Sequence, residues 1–211
     1  MLRDGRPVLV LAPHTDDGEL GCGGTISKLR SLGVDVHYVA FCSCDESLPP
    51  GFAPGTLRKE LLEATNVLGI PRQNVTVHDF EVRKLSYSRQ DVLEILVQLN
   101  REMNPQLIFC PTEDDLHQDH AVVAHEALRA FKTKTVLGYE MPWNNIRFHA
   151  NYLITLSEDD IQTKVDAIKQ YTSQGRRPYL NERYIRSHAH SRGVTIGTEY
   201  AEAFTLYRAV Y

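Results

Sequence analysis

The sequence predicts an α/β protein with a Rossmann-like, mostly parallel sheet and helices on both of its faces. Two observations lead to this prediction. Short continuous apolar runs, such as residues 8–12, have the composition of strands that are buried on both sides. They alternate with apolar stripes at helical spacing, such as Ile26, Leu29 and Leu32, which end at Gly33. This alternation is typical of βαβ units with right-handed crossovers.

The same patterns place the other elements along the chain. Gly69 and Pro71 end the second helical stripe, Pro105 lies beyond the third, and Pro111 closes the fourth apolar run. A capping-box arrangement at Ser157 begins a later helix. The predicted strands lie at residues 8–12, 34–41, 75–77, 107–110, 136–139 and 152–156. The predicted helices contain residues 26–32, 57–68, 92–99, 121–131 and 157–171.

The last part of the chain gives a weaker pattern. Residues 175–197 are rich in Arg, Tyr and His, and no element is predicted there. Residues 203–207 are mostly apolar and are predicted to be a packing segment. We find no internal repeat and no interdomain linker, so residues 1–211 are predicted to form one domain.

Composition narrows the class of protein. Hydrophobic residues make up 42% of the chain and charged residues 24%, as in ordinary globular proteins. The net charge is -4 and there is no long Lys/Arg run, which argues against a dedicated nucleic-acid binder. The four cysteines show neither a CxxC pair nor a disulfide framework. Residues 1–6 are polar, and no apolar run approaches 18 residues. We therefore expect a cytoplasmic protein without a transmembrane segment.

A histidine and two carboxylates lie where the first predicted strand leads into a helix. They are His14, Asp16 and Asp17, and ligands of open α/β sheets bind beyond the carboxyl ends of the strands. Because His14 and Asp17 are three residues apart, both can point at one metal ion while Asp16 points elsewhere. A carboxylate at the start of a helix can simply complement the helix dipole. This alternative accounts for one of Asp16 and Asp17, but less well for both of them beside a histidine.

A second cluster with His117 and His120 follows the fourth predicted strand. If the first and fourth strands are neighbours, His14, Asp17 and His120 come within reach of one another. His117 and His120 share a helix face, so that either or both can approach the metal. Two imidazoles and one carboxylate leave an open position on Zn²⁺, as in catalytic sites, and Fe²⁺ accepts the same ligands.

These motifs resemble those of the LmbE/PIG-L family of zinc-dependent N-acetylglucosaminyl deacetylases. Residues 12–17 resemble the family's Pro/Ala-His-Pro-Asp-Asp signature, and residues 117–120 resemble its His-Pro-Asp-His motif. Arg58 lies in a helix similar to the family's Arg-led helix, which ends in Leu-Gly-Val. Residues 200–204 are similar to a closing segment of many members. The resemblance covers most of the chain in the same order.

The resemblance implies a role for each residue of the two motifs. It implies that His14, Asp17 and His120 are zinc ligands, that Asp16 is the general base, and that His117 acts beside the leaving group. The chemistry agrees, because zinc lowers the pKa of bound water toward ~7 and a carboxylate that does not bind the metal can take the proton.

Three positions depart from the family pattern. Thr15 and Gln118 stand where proline is usual, which affects the shape of the loops more than the metal ligands. Asp115 stands where some members have a tyrosine, so oxyanion stabilisation from that side chain is not expected.

Candidate substrate residues come from the loops. Arg58 could bind a sugar hydroxyl or phosphate, or be an ordinary surface charge. Trp143, the only tryptophan, could stack on a sugar ring or be a core aromatic residue. Residues 176–179, together with His188 and His190, could lie at the mouth of the cleft, but a solvated surface is the favoured interpretation.

The leading hypothesis is a zinc-dependent deacetylase of N-acetylated amino sugars or their conjugates. A non-haem Fe(II) oxygenase uses the same ligand types, although the His-x-x-Asp spacing and the α/β pattern count against it. A non-catalytic Rossmann-like sugar- or nucleotide-binding module is the third hypothesis. The glycines after the first predicted strand suggest such a module, but they do not form the G-x-G-x-x-G fingerprint of dinucleotide binding. The expected partner is a small-molecule glycoconjugate, and related proteins include homo-oligomers.

Overall fold

A computed structural model describes residues 5–210, so most of the polar segment at residues 1–6 lies outside the described residues. The fold is a seven-stranded sheet in the order β3-β2-β1-β4-β5-β7-β6 with helices on both faces. Its strands are β1 (Val8–Ala12), β2 (Val36–Ala40), β3 (Val75–Val77), β4 (Leu107–Pro111), β5 (Thr135–Tyr139), β6 (Tyr152–Leu156) and β7 (Tyr200–Arg208). Its helices are α1 (Asp17–Ser31), α2 (Thr56–Val67), α3 (Arg89–Met103), α4 (Gln118–Ala130), α5 (Glu158–Ile168) and α6 (Glu182–Val194).

Strands β1 to β5 form the parallel part of the sheet, as predicted. The central pair is β1 and β4, in which Val8 lies opposite Leu107 and Val10 opposite Phe109. Every residue of β1 is fully buried, because helices cover both faces of the sheet. Helices α1, α2 and α5 pack on one face, and α3 and α4 pack together on the other. The expected neighbourhood of the first and fourth strands is therefore confirmed.

The C-terminal part differs from the sequence prediction in two ways. The segment around residues 203–207 is a nine-residue strand, β7, which pairs antiparallel with β5 on one side and with β6 on the other. Helix α6 was not predicted, because its buried stripe consists of Ile185, Ala189 and Gly193 and is flanked by charged residues. Of these three, Ala189 and Gly193 are too small to produce a clear amphipathic pattern in the sequence.

Helix α1 is kinked at Cys22, whose φ is -146°. Just after the kink, the Glu202 side chain on β7 accepts hydrogen bonds from two amides of the helix, at 3.0 Å from Gly24 and 2.7 Å from Thr25. Lys164 of α5 lies 2.6 Å from Glu202 and donates to the Leu20 carbonyl at 2.7 Å. A buried ion pair thus satisfies the backbone on both sides of the kink.

Gly21→Ala is expected to destabilise the fold by about 1–3 kcal/mol or more. A Cβ at Gly21 would lie 2.3 Å from Cδ2 of Tyr139. The Tyr139 ring cannot withdraw easily, because it is fully buried and its hydroxyl donates to the Leu11 carbonyl at 2.9 Å. Urea unfolding measures the effect. Gly175→Ala is the control, since its nearest neighbour lies at an ordinary 3.5 Å. Equal unfolding free energies for the two variants would contradict the packing argument.

Within residues 5–210, no helix combines the length and the apolar character that a membrane crossing requires.

Candidate metal centre

Three side chains converge at the carboxyl ends of β1 and β4. His14 follows β1, Asp17 begins α1, and His120 lies in the first turn of α4. Asp17 Oδ2 lies 3.1 Å from His14 Nδ1 and 3.2 Å from His120 Nε2, and the two ring nitrogens are 3.2 Å apart. The structure therefore brings together the three residues that the sequence predicted as metal ligands.

The spacing of these atoms fits a tetrahedral metal ion. Ligand atoms bound about 2.0–2.1 Å from Zn²⁺ lie about 3.3–3.4 Å from one another in a tetrahedral site. The observed separations are close to this value, and two imidazoles facing one carboxylate are a donor set that binds Zn²⁺ or Fe²⁺. The ring nitrogens of His14, His117 and His120 also lie within 4.8 Å of one another, so His117 stays close enough to be an additional ligand.

Two buried carboxylates contact the imidazole nitrogens that face away from the metal centre. Asp115 Oδ2 lies 2.7 Å from His120 Nδ1, and Asp119 Oδ2 lies 3.0 Å from His14 Nε2. Each histidine thus presents its other nitrogen to the common centre, which fixes its tautomer and orientation when a metal is bound. The sequence analysis did not assign this role to either aspartate.

Asp119 is itself held by backbone amides of the β3–α3 loop. Its carboxylate accepts hydrogen bonds from the amides of Arg83 at 2.5 Å and Leu85 at 3.1 Å. Arg83 adopts a left-handed conformation with φ 67°, which is uncommon for a residue with a side chain. The conformation points the Arg83 amide at Asp119, so a strained residue supports the orientation of His14.

Asp16 lies beside the ligand set and lines the cavity above it. It is the N-cap residue of α1, but its side chain makes no capping hydrogen bond, so helix capping does not account for it. Burial and the adjacent charge of Asp17 raise the pKa of Asp16, while the Arg177 guanidinium acts in the opposite direction. A carboxyl group whose pKa is raised by burial and a like charge is suited to taking up and returning a proton.

His117 is the N-cap residue of α4. Its Nδ1 accepts a hydrogen bond from the Asp119 amide at 3.2 Å, which leaves the proton of the neutral ring on Nε2. Burial and the neighbouring His14 and His120 lower the pKa of His117 to about 4. His117 is therefore a neutral hydrogen-bond donor at pH 7 rather than a charged acid.

The loop that carries Asp16 rests on a buried cluster. The Tyr38 and Tyr171 hydroxyls lie 3.0 Å and 2.7 Å from the Thr15 carbonyl. The same hydroxyls lie 2.5 Å and 2.9 Å from the Glu19 carboxyl. Burial raises the pKa of Glu19 to about 8, against the opposing effect of the two tyrosines. Three side chains thus fix the backbone just before Asp16.

A cavity of about 440 Å³ opens above the metal centre. Trp143 lines it and stacks on Tyr179, with ring centroids 3.9 Å apart and nearly parallel planes. Arg177 and Tyr179 also line the cavity, although the sequence interpretation assigned them to a solvated surface. Arg83 lies in the lining as well and was not singled out from the sequence.

Three predicted residues lie elsewhere. The Arg58 guanidinium pairs with Asp79 and is not in the cavity lining, which favours the alternative of a surface charge over a contact with the substrate. His188 lies 3.1 Å from Glu140, and His190 bonds the Glu199 carbonyl at 2.9 Å. Neither histidine lines the cavity.

Metal affinity is expected to rise with pH between about 6 and 8. Burial disfavours the charged form of His120, but Asp17 and Asp115 outweigh burial and raise its pKa to about 10 in the metal-free protein. Metal binding must therefore displace a proton from His120, and each released proton strengthens binding by about tenfold per pH unit. Titration calorimetry in buffers of different ionisation enthalpy counts the released protons. An affinity that is the same at pH 6 and pH 8 would contradict this assignment.

Comparison with known proteins agrees with the geometry. The family model described as "PIG-L: GlcNAc-PI de-N-acetylase" matches residues 9–131. The diacetylchitobiose deacetylase of Thermococcus kodakarensis is 26% identical over 99% of this chain and 85% of its own length.

Two solved structures are similar over nearly the whole chain. The conserved protein TT1542 of Thermus thermophilus is 26% identical, with a TM-score of 0.83 over 98% of this chain and 96% of that chain. The N,N'-diacetylchitobiose deacetylase of Pyrococcus horikoshii, solved with an inhibitor, is also 26% identical. Its TM-score is 0.76, over 97% of this chain and 86% of that chain.

Proposed function

Since the chain belongs to the PIG-L family, we propose that it is a metal-dependent hydrolase that removes the acetyl group from an N-acetylated amino sugar or its conjugate. The observation that carries the proposal is the triangle of His14 Nδ1, Asp17 Oδ2 and His120 Nε2, with sides of 3.1–3.2 Å, below a cavity lined by Asp16. The names of the related diacetylchitobiose deacetylases support the same substrate class.

We propose Zn²⁺ as the metal, with Fe²⁺ as the alternative, held by His14, Asp17 and His120. When bound there, such an ion supplies Lewis-acid chemistry and lowers the pKa of water to about 7. The residues of this chain supply the proton transfers and the orientation. Asp115 and Asp119 keep the two imidazoles facing the centre throughout.

Asp16 takes a proton from the attacking water while the oxygen of that water bonds to the amide carbon. For His117 we propose another role than the one beside the leaving group that the resemblance implied, because its lowered pKa makes it a poor acid. It donates a hydrogen bond from Nε2 to the carbonyl oxygen as negative charge develops there, a stabilisation that Asp115 does not provide. Protonated Asp16 then returns its proton to the amide nitrogen. The C–N bond breaks, and acetic acid keeps the oxygen and the second proton of the water. Its proton then passes to the amine of the sugar, so that the products are acetate and an ammonium group.

No observation on the described residues favours the other two hypotheses. Glycines of the segment after β1 serve packing rather than ligand binding. A Cβ at Gly18 would meet the Tyr38 ring at 2.4 Å, and one at Gly24 would meet Leu156 at 2.6 Å. This close approach of helix α1 to its neighbours explains the glycines without a bound nucleotide.

Acetate release from a panel of N-acetylated amino sugars and conjugates tests the proposal. The protein is stripped of metal and reloaded with Zn²⁺ or Fe²⁺ in parallel, with the stripped protein as the control. We expect acetate release that requires metal and yields an equal amount of free amine. A protein that holds one metal per chain but releases no acetate from any member would refute the proposed reaction.

A further inference from the structure

A buried polar cluster lies beneath the loop that carries Asp16. It consists of Glu19 on α1, Tyr38 on β2 and Tyr171 just beyond the end of α5, and each of the three residues is at most 2% exposed. We propose that these three are positioning residues, which hold the Asp16 carboxylate in the direction that proton transfer from water requires. The inference rests on the proposed function and extends it to residues outside the cavity lining.

Asp16 depends on its backbone for orientation, in contrast to Asp17. The Asp17 carboxylate accepts a hydrogen bond from the His14 amide at 2.8 Å and faces both imidazoles of the centre. The Asp16 side chain makes no capping hydrogen bond and interacts with its own backbone amide. Arg177 attracts Asp16 by charge while it donates a hydrogen bond to the Tyr179 hydroxyl. A shift of the local backbone would therefore move the Asp16 carboxylate, whereas Asp17 is restrained by its own contacts.

The cluster holds the peptide that precedes Asp16. The hydroxyls of Tyr171 and Tyr38 lie 2.7 Å and 3.0 Å from the Thr15 carbonyl oxygen. Glu19 bridges the same two hydroxyls, with Oε1 2.9 Å from Tyr171 and Oε2 2.5 Å from Tyr38. One carboxyl group thus directs two tyrosine rings at one carbonyl oxygen, and the loop is fixed one residue before the proposed base.

The place of these contacts in the chain agrees with a positioning role. Burial of polar groups is costly unless they are hydrogen-bonded, so apolar side chains would fill this space at a lower cost. The carbonyl that the cluster contacts belongs to Thr15, which lies between β1 and α1 and in neither element. The Tyr38 hydroxyl also accepts a hydrogen bond from the Gly18 amide at 3.0 Å. The contacts therefore lie on both sides of Asp16 in the chain.

Tyr171 has a rigid support of its own. The Thr172 hydroxyl and the Ser173 amide both donate to the buried Glu60 carboxylate at 2.8 Å. Because Glu60 lies on α2, the backbone beside Tyr171 is held by α2 as well as by the end of α5. Such rigidity matters, since a catalytic group that is misplaced by about 1 Å can cost about 100-fold in rate.

Tyr171→Phe removes one hydroxyl and keeps the ring. On the metal-loaded protein we expect kcat for acetate release to fall about tenfold or more, with KM and metal content at wild-type values. Tyr139→Phe is the matched control, because Tyr139 is also fully buried and its hydroxyl donates to a carbonyl within β1, that of Leu11, at 2.9 Å. A kcat equal to that of the control overturns the inference. So does a loss of metal that accompanies the loss of rate.

Variants of Glu19 add a rescue test. Glu19→Gln keeps a donor and an acceptor facing the two tyrosine hydroxyls, so it should retain most of the wild-type kcat. Glu19→Leu is similar in size but offers no polar atom, and we expect it to lower kcat about tenfold. A cluster that serves packing alone would accept leucine at least as well as glutamine. Equal kcat values for the two variants would therefore contradict the positioning role.

Carbon NMR of the Zn²⁺-loaded protein with labelled aspartate separates this inference from the proposed reaction. The carboxyl signal that disappears in Asp16→Asn belongs to Asp16. We expect Tyr171→Phe to shift this signal and Tyr139→Phe to leave it in place. An unchanged signal in Tyr171→Phe overturns the inference, whatever the rate.

The two readouts distinguish the possible failures. If no N-acetylated sugar releases acetate but the Asp16 signal shifts in Tyr171→Phe alone, the proposed reaction fails and the positioning role stands. If acetate is released, and both kcat and the Asp16 signal are the same in Tyr171→Phe as in the wild type, only the positioning role fails.

Discussion

Asp16→Asn is expected to keep its bound metal and to lose about 10²–10⁴-fold in kcat. An asparagine has nearly the same shape as the aspartate but cannot take a proton from water. The metal should remain, because the predicted ligand atoms belong to His14, Asp17 and His120 and not to Asp16. Metal content per chain and the rate of acetate release measure the two parts of the prediction on the same sample.

Asp17→Asn is the matched comparison, one residue further along the chain. It removes negative charge from the centre itself, so it should lose metal and activity together. If Asp16→Asn releases acetate at the wild-type rate, the assignment of Asp16 as the base is wrong. If it loses metal to the same extent as Asp17→Asn, Asp16 is a ligand and another group must act as the base.

Asp119→Asn is expected to weaken metal binding by about 10–100-fold. The Asp119 carboxylate meets three donors, namely the His14 ring and the amides of Arg83 and Leu85. An asparagine presents only one acceptor oxygen, and its NH₂ group would face a donor. His14 would then lose its fixed orientation, and the β3–α3 loop would lose one anchor. Competition with a chromophoric chelator measures the affinity.

Asp114→Asn is the control for this variant, because Asp114 lies in the same loop as Asp115 but is exposed. Asp115→Asn should weaken metal binding as well, since its contact with His120 has a similar geometry. Wild-type metal affinity in both Asp115→Asn and Asp119→Asn would show that the carboxylates behind the imidazoles do not support the site.

Most of the architecture was predictable, because it depends on strong local signals. Continuous apolar runs identified β1 and β4, and their alternation with helical stripes predicted a mostly parallel sheet. Such a sheet allows the two strands to be neighbours, and the parallel pairing of Val8 with Leu107 shows that they are. The capping box at Ser157 is also present, with both of its hydrogen bonds. Helix α6 escaped prediction because Ala189 and Gly193 are too small to mark a buried face.

The site was predictable to the extent that its residues are close in sequence or follow neighbouring strands. His14 and Asp17 are three residues apart, and His120 follows β4, the neighbour of β1. The structure brings the three together, while their roles stay predictions. Arg83 could not be found in this way, because its importance depends on a left-handed backbone and a contact with Asp119, 36 residues away. Arg177 has the composition of an ordinary exposed loop, and only the tertiary fold places it at the cavity.

The ion pair beneath the kink of α1 has a consequence for the order of assembly during synthesis. Glu202 bonds the amide of Gly24 across 178 residues of sequence, so the kinked part of α1 lacks this contact until β7 has been made and inserted. Contacts of such long sequence separation form late in folding. A nascent chain that already carries His14, Asp17 and His120 would therefore bind metal weakly. Tight metal binding would then occur only after the sheet is complete, and could be used to detect that stage of folding.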